Sequence, residues 1–497
     1  MNKFFHTALF FTVLALTVQP VMAENLLFDI TTNQTHINNT VDTEKSFKES
    51  LAAATEKFKQ GNVNTSYEEF KSLIEQNKGE DFYLILIAQR TAEFGMSDLT
   101  DLAFKSVSDN FLTSVYKDNL NKYYSTMNNL KTEDIIYLSE AYSNIFYNNL
   151  MLETINDLKK KTDLLTRNDY ANYLMALAYY KMDNLPLAQK YITVARTQNS
   201  ESTKYKYLQA LILSKTTQTN SALKLVNEIK KENIQIKELN TKISAAEYLV
   251  LYNINKDAAI KDYNLAYYHY VSEEPQKALR LLTTIQTKKK KVKASVYALM
   301  SKIYFDTYDF EKASEFAQKA LKLNSKESLA LECMGDLKYK NAKYKNALTC
   351  YKTVYKMKNA QNVSMKLYKT YQKTEKPKKA NEIMLKNLKS NNVDPEFYIE
   401  KAAITNDNNK VIYLKKALSY DIEQKDAWYA LAEEMIKRND NSAAEKFLKY
   451  AYYIDENDFR YYYYQSLIKR QEGQLDEAVK LMNKCTKLNP DFKTEKE

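Results

Sequence analysis

An all-α solenoid, a superhelix of antiparallel helix pairs, is the fold class this sequence predicts, and two observations predict it. The first is the scarcity of turn formers: 5 Gly and 6 Pro in 497 residues, far below ordinary usage. Sheets and mixed folds need many tight turns, and tight turns draw on those two residues. A chain this poor in both is mostly helix joined by short connections. The second is a period. Ala188 and Ala222, Ala313 and Ala347, Ala444 and Ala478, and Gly61 and Gly95 are each 34 residues apart. Length alone would also allow about three globular domains, and a fixed period decides for one repeat array.

The ends are set apart first. Lys3 is a short basic start, Ala8 to Val18 (ALFFTVLALTV) is an apolar run, and Val21-Met22-Ala23 offers small or permissive residues at a cleavage point. Residues 1–23 therefore read as a secretory signal peptide cut after Ala23, with an uncleaved N-terminal anchor as the alternative. Residues 24–45, rich in Asn and Thr without helical periodicity, read as a flexible leader. No later stretch reaches the ~18 apolar residues of a membrane span, so no transmembrane segment is expected after signal cleavage. Residues 493–497 read as a tail.

Within the array, five units share their large and small positions. Unit 425–458 has Trp428 at position 4, Leu431 at 7, Ala432 at 8, Ala444 at 20 and Ala451 at 27. Unit 459–492 has Gly473 at 15, Ala478 at 20, Cys485 at 27 and Pro490 at 32. Unit 328–361 has Gly335 at 8, Tyr344 at 17, Ala347 at 20 and Tyr351 at 24. Unit 294–327 has Tyr304 at 11, Phe310 at 17, Ala313 at 20 and Ala320 at 27, and unit 169–202 has Ala176 at 8, Tyr179 at 11, Ala188 at 20 and Ala195 at 27. This pattern resembles the tetratricopeptide repeat, whose period is about 34 residues. The physics suits it: paired helices that approach closely need small side chains at the crossing, and one pair cannot bury its apolar face without a stacked neighbour.

Units 47–80, 81–114, 134–168, 203–236, 259–292, 361–394 and a shortened 395–424 complete an array of about 11 to 12 units, weaker in pattern; Thr100 stands where alanine is usual. Stretches 115–133 and 237–258 break the period and read as additional or irregular helices, candidate hinges between halves. The expected organisation is an N-terminal solenoid over 46–258 and a C-terminal one over 259–492. Gly61, Gly95 and Gly473 fall in turns within pairs. Pro186, Pro275 and Pro377 fall at the start of second helices, where a missing N–H costs little.

The chemistry-bearing residues are few. Of 3 His, His6 and His36 precede the folded region, and His269 sits at a packing position, so it reads as structural. Cys333, Cys350 and Cys485 are odd in number and read as small core residues rather than a disulfide framework. No spacing supports a metal site, a Gly-rich phosphate loop or a nucleophile–base pair. No enzyme, metal or cofactor is expected; an unrecognised site in 115–168 is the remaining enzymatic option. Removing Lys3 with the signal peptide takes the formal charge from +11 to about +10. Charges of both signs look interspersed, which argues against a nucleic-acid partner and for a general surface excess, with a dedicated acidic partner as the alternative.

Tetratricopeptide-repeat proteins resemble one another in binding ligands on the inner, concave face, through first-helix positions 2, 5, 9, 12 and 13. The resemblance implies Tyr173, Tyr207, Tyr263, Tyr429 and Tyr463 at position 5, and Tyr180, Tyr270, Phe305 and Tyr339 at position 12. It implies Lys181, Lys215, Lys340, Lys373 and Lys437 at position 13, with Arg470 at position 12 of the last unit. An aromatic column beside a cationic one suits a peptide: tyrosine offers area at little entropic cost, and lysine steers carboxylates. The paired Lys and Asn set of a carboxylate clamp is absent. The function expected is a non-catalytic, exported scaffold holding a peptide or protein partner, its oligomeric state open. The alternative is a cell-wall or polysaccharide-binding envelope protein whose tyrosines stack on sugar rings. Lysine- and asparagine-rich composition suggests an AT-rich bacterial genome, and hence periplasm, cell envelope or the extracellular space.

Overall fold

A computed structural model describes residues 42–124, 130–232, 234, 236–288, 293–357, 363–390, 393–405, 409–490 and 492. The expected signal peptide, tail and most of the leader lie outside them; a helix already starts at Asp42. Among the described residues there are 27 α-helices and no strand. The helices pair as the repeat register requires. Asp169–Lys181 is followed by Leu185–Gln198, Ala294–Asp306 by Phe310–Leu323, and Ser328–Lys340 by Tyr344–Tyr355. Lys425–Lys437 is followed by Asn441–Ile454, and Phe459–Gln471 by Leu475–Leu488.

Local signals at both ends of the helices set these boundaries. Asn168, Asn184, Asp309, Asp440 and Asp458 cap the helices that follow, each side chain accepting a hydrogen bond from a first-turn N–H. Between paired helices, position 15 is left-handed: Gly61, Gly95 and Gly473 have φ of 86°, 81° and 78°. Asp183, Glu273, Tyr308, Ala342, Glu375 and Asn439 adopt the same region at 54° to 65°. The next N–H then reaches back to the helix, as from Asn184 to the Tyr179 carbonyl (2.8 Å) and from Asp309 to that of Tyr304 (2.9 Å). This closure satisfies carbonyls that the helix end would leave open.

The small residues sit at the crossings. Ala432, Ala444, Ala313, Ala347, Ala188 and Ala222 are fully buried. Thr100 is tolerated because its hydroxyl meets that of Thr91 at 2.9 Å and also donates to the Met96 carbonyl at 3.0 Å. All three cysteines are free and buried, and burial pushes the Cys333 thiol up to about 12. No helix of the described residues is long and apolar enough to cross a membrane.

The superhelix returns on its own start. Helix Asp42–Lys59 packs against Asn441–Ile454, and Asn110–Tyr123 against Asn409–Tyr420. The seam is aromatic: Phe82 lies 5.2 Å from Tyr450 and 6.0 Å from Trp428, and Tyr83 lies 5.7 Å from Tyr453, centroid to centroid. Polar groups rim it. The Tyr450 hydroxyl donates to Glu80 (2.9 Å), Tyr116 donates to the Leu418 carbonyl (2.9 Å), and Lys415 pairs with Asp109 (2.6 Å).

The two stretches that break the period carry packed helices, with residues 125–129 of the first outside the described residues. Asn110–Tyr123 and Lys237–Ile254 are interior helices: the first packs against Asp81–Glu93, Thr203–Ser214 and Asn409–Tyr420, the second against Thr203–Ser214, Thr219–Ile229 and Ala258–Val271, where it covers Tyr207. Lys242 on the second, 1% exposed, bonds Glu93 (3.0 Å, 4% exposed) and the Tyr124 hydroxyl (3.2 Å). Burial opposes both charges, but their mutual attraction outweighs it, lowering the Glu93 pKa and raising that of Lys242. Beside them the Lys204 ammonium lies 5.1, 4.6, 5.5 and 5.1 Å from the ring centroids of Tyr124, Tyr142, Tyr170 and Tyr173. Burial lowers its pKa to about 7. Region 115–168, left open for an unrecognised catalytic site, is packed with buried Tyr116, Tyr123, Tyr142 and Phe146.

Two outcomes test this interior. Lys242→Met takes from Glu93 its hydrogen-bonded ammonium, leaving Arg90 and the more distant Lys204, and should cost about 3 kcal/mol in urea unfolding; with Lys242 in place, the Glu93 contribution is present above the ordinary Glu pKa and is lost as pH falls through the lowered folded value. Lys204 acts in the opposite direction. Between about pH 7 and its ordinary value the folded state has shed the proton that the unfolded state keeps, so stability rises with pH there, by up to ~1.4 kcal/mol per pH unit. Thermal melts of Lys204→Met against wild type across that window should show the slope removed.

Candidate functional site

Where the C-terminal units face inward, the concave side is open. A cleft of about 500 Å³ is lined by residues of units 294–327, 328–361 and 361–394, among them Phe305, Tyr308, Phe310, Tyr339, Lys340 and Lys369. Its floor is a polar lattice. Lys366 bridges Glu332 and Asp336, both at 2.7 Å, and the Tyr351 hydroxyl donates to Asp336 at 2.7 Å. Lys302 pairs with Asp306 (2.5 Å), which also accepts from Tyr270 (2.7 Å). Burial works against the Lys366 ammonium, but Glu332 and Asp336 outweigh it and hold its pKa above the ordinary value. Burial and then Asp336 raise the Tyr351 phenol, so it stays a donor.

Gly335 makes this floor possible. A Cβ there would stand 2.5 Å from the Tyr351 ring, so only glycine lets the ring lie across the helix and reach Asp336. The wall above is aromatic and cationic. Phe305 and Phe310 meet edge to face at 5.4 Å, Tyr339 meets Tyr344 at 5.2 Å, and the Lys340 ammonium lies 4.5 Å from the Phe310 ring centroid.

Of the residues implied by the resemblance, Phe305, Tyr339 and Lys340 come together in this cleft, with Tyr270 half-buried at its edge. Lys373 and Lys437 are exposed, as is Arg470, and Tyr263 and Tyr463 are half-buried. Tyr463 packs against Phe492 (5.0 Å), and Lys215 lies over the Tyr180 ring (4.4 Å) and pairs with Asp183. Five residues need correction: Tyr173, Tyr180, Lys181, Tyr207 and Tyr429 are buried and present no surface to a partner. The chain itself covers them. Tyr207 donates to the Ile243 carbonyl of the second interior helix (2.8 Å), Lys181 donates to that of Ile145 (3.0 Å), and Tyr173 stacks on Tyr205 (5.0 Å) beside Lys204. Tyr429 lies beneath the Arg460 guanidinium (4.4 Å). Sequence reasoning missed Lys302, Asp306, Tyr308, Phe310, Asp336, Tyr351, Lys366 and Lys369. A signal existed for some of them: positions 9 and 13 hold Lys302 and Asp306, then Asp336 and Lys340, then Lys369 and Lys373 in successive units.

His269 is structural in setting: its Nδ1 lies 2.6 Å from Glu274, and burial lowers its pKa against the pull of that carboxylate. Among the described residues no group of His, Cys, Asp or Glu is placed to hold a metal ion. A second cavity, about 360 Å³, lies at the seam between Glu93, Glu238, Asp421 and Glu423.

The comparisons with known proteins agree with this architecture. The tetratricopeptide-repeat family profile matches residues 294–327 and 459–492, the first of which is the unit carrying Phe305 and Phe310. The chain carries tetratricopeptide repeats. The sequence matches no curated protein. Among solved structures it is similar to the Cut9–Hcn1 hetero-tetramer of the APC/C, at 12% identity over 91% of this chain and 95% of that one, with a TM-score of 0.43. It is also similar to a human IFIT1 dimer with PPP-AAAA (16% identity, 81% and 100% covered, TM-score 0.34). The P58(IPK) TPR domain is a third (14% identity, 71% and 92% covered, TM-score 0.27). At such scores these likenesses carry nothing about partners. The tetratricopeptide solenoid is the architecture of a protein-interaction scaffold, and its open cleft depends on Gly335. Gly335→Ala should displace Tyr351, cost about 1–3 kcal/mol as overpacking does, and slow the tryptic resistance of units 294–394 to recover after urea dilution, read by limited proteolysis.

Proposed function

We propose that this tetratricopeptide-repeat chain is a non-catalytic, exported scaffold that holds a segment of another protein in the cleft of units 294–394. The observation that supports it is a contrast within one fold. In the N-terminal units the chain's own interior helix covers Tyr207, whereas the C-terminal units leave a cleft with Phe305, Tyr339 and Lys340 in its wall. Large aromatic side chains half-exposed in a concave wall beside cations are the groups that dominate protein interfaces. The paired acids and bases of the floor hold one another, so they position the wall and offer no evident reactive pair. Export rests on Lys3, the apolar run Ala8 to Val18 and Ala23.

Affinity capture from the native cell-envelope fraction tests this. The mature wild-type protein should retain a partner that Phe310→Ala combined with Lys340→Glu loses by about tenfold or more, with helical content unchanged by circular dichroism. Intact-mass measurement of the protein recovered from that fraction should give a chain beginning at Glu24. Co-sedimentation with purified wall polymer, unaffected by the same pair of changes, would instead favour the polysaccharide alternative.

A further inference from the structure

The chain's positive charge is concentrated, not spread. Residues 294–394 hold 20 Lys against 10 Asp or Glu, so they carry +10 of the whole chain's +11. The cleft is built by these units, and of the lysines that line it Lys302, Lys366 and Lys369 pair with carboxylates. Inside it the carboxylates are already engaged: Asp306 by Lys302 and Tyr270, and Asp336 by Tyr351 and Lys366. What the wall adds is cationic, with Lys340 exposed.

A second observation lies on the rim. Tyr308 has φ of 65° at position 15, where other turns use Gly61, Gly95, Gly473, Asn439, Asp183, Glu273, Ala342 or Glu375, and among the described residues it is the one aromatic side chain in that turn. The left-handed region suits glycine and asparagine, and a bulky residue there is strained. Packing gives that strain little compensation, because Tyr308 is 81% exposed and among the described residues its one ring contact is edge-on with Phe310, at 6.1 Å and 85°. Backbone strain held at the surface beside a cleft is characteristic of binding sites. The effect of the left-handed turn is to stand the Tyr308 ring beside Phe310 at the cleft mouth, outside the lining positions that the repeat ordinarily uses.

We propose that the cleft takes an acidic protein segment carrying an apolar anchor, with a carboxylate on Lys340 and its anchor against Tyr308, Phe305 and Phe310. Tyr308 is kept in its strained turn to present that ring. This rests on the cleft being the partner site and adds the chemistry of the partner. The local charge steers a negative segment toward the cleft and lengthens no other encounter. The aromatic wall then supplies desolvated contact area at low entropic cost. A purely anionic polymer such as polyphosphate would satisfy the lysine and leave the three rings without a mate, which is why a segment with an apolar anchor fits better than a polyphosphate.

The test uses the full mature chain and fluorescence anisotropy. The probe is a labelled peptide of about a dozen residues alternating Glu and Leu around a central Phe; its counterpart carries Gln for every Glu. A same-length polyglutamate and an inorganic polyphosphate report charge alone. The acidic peptide should bind at least about tenfold more tightly than the Gln peptide at low salt, and the advantage should shrink as salt screens it. It should also exceed both charge-only probes. Tyr308→Gly should leave Tm unchanged or higher while weakening the acidic peptide about tenfold, and Tyr308→Phe should retain affinity. Equal binding of the Glu and Gln peptides, equal binding of the charge-only probes, no binding of any peptide, or full affinity in Tyr308→Gly each overturns the inference. If the Glu and Gln peptides bind alike but Phe310→Ala still abolishes envelope capture, the acidic partner falls and the cleft reading stands. If Phe310→Ala changes no capture, the cleft reading falls with it.

Discussion

Close approach of two helices at a small side chain is the constraint on which everything else here depends. Ala444 against the helix bearing Ala432, and the same geometry at Ala313, Ala347 and Ala188, lets each pair nest so that its apolar face meets the next pair. A single hairpin of this kind buries too little to be stable, so the array is cooperative by necessity. The left-handed residue at position 15 serves the same end. It reverses the chain in three residues and returns an N–H to the helix it leaves, so second helices start in register whichever residue occupies the turn.

Stacking with a small, constant rotation generates a superhelix, and in this chain the superhelix meets itself. The aromatic seam of Phe82, Tyr83, Trp428, Tyr450 and Tyr453 joins segments more than 340 residues apart in sequence. Its consequence is a division of labour. Among the N-terminal units the helices Asn110–Tyr123 and Lys237–Ile254 become core, locked by the Lys242–Glu93 pair. Removing such groups from water offsets much of their attraction, so the pair matters most through what breaking it would leave, a buried charge without its partner. The C-terminal units are left with the accessible cleft.

That cleft joins rigidity to exposure. Its floor of Lys366, Asp336 and Tyr351 is hydrogen-bonded together and depends on the missing Cβ of Gly335. Its rim carries Tyr308 and Lys340 with little cover. A rigid base under exposed aromatic and cationic groups lowers the entropy lost on binding, because few side chains must be ordered when a partner arrives.

The sequence by itself determined the repeat: the period of Ala and Gly, the turn positions, the prolines at second-helix starts, and the unit boundaries to the residue at 169, 294, 328, 425 and 459. These are local properties, since a helix crossing or a turn is decided by residues a few positions apart. Phe305, Tyr339 and Lys340 were legible for the same reason, through their register within one unit. Tertiary structure alone decided which concave positions are open. Tyr173, Tyr207 and Tyr429 have the same register as Tyr263 and Tyr463, yet they are core, because what covers them comes from helices outside their own unit or from a charged neighbour laid across the ring. Register reports the direction a side chain faces along a solenoid. Only the path of the whole chain settles whether another segment already stands there.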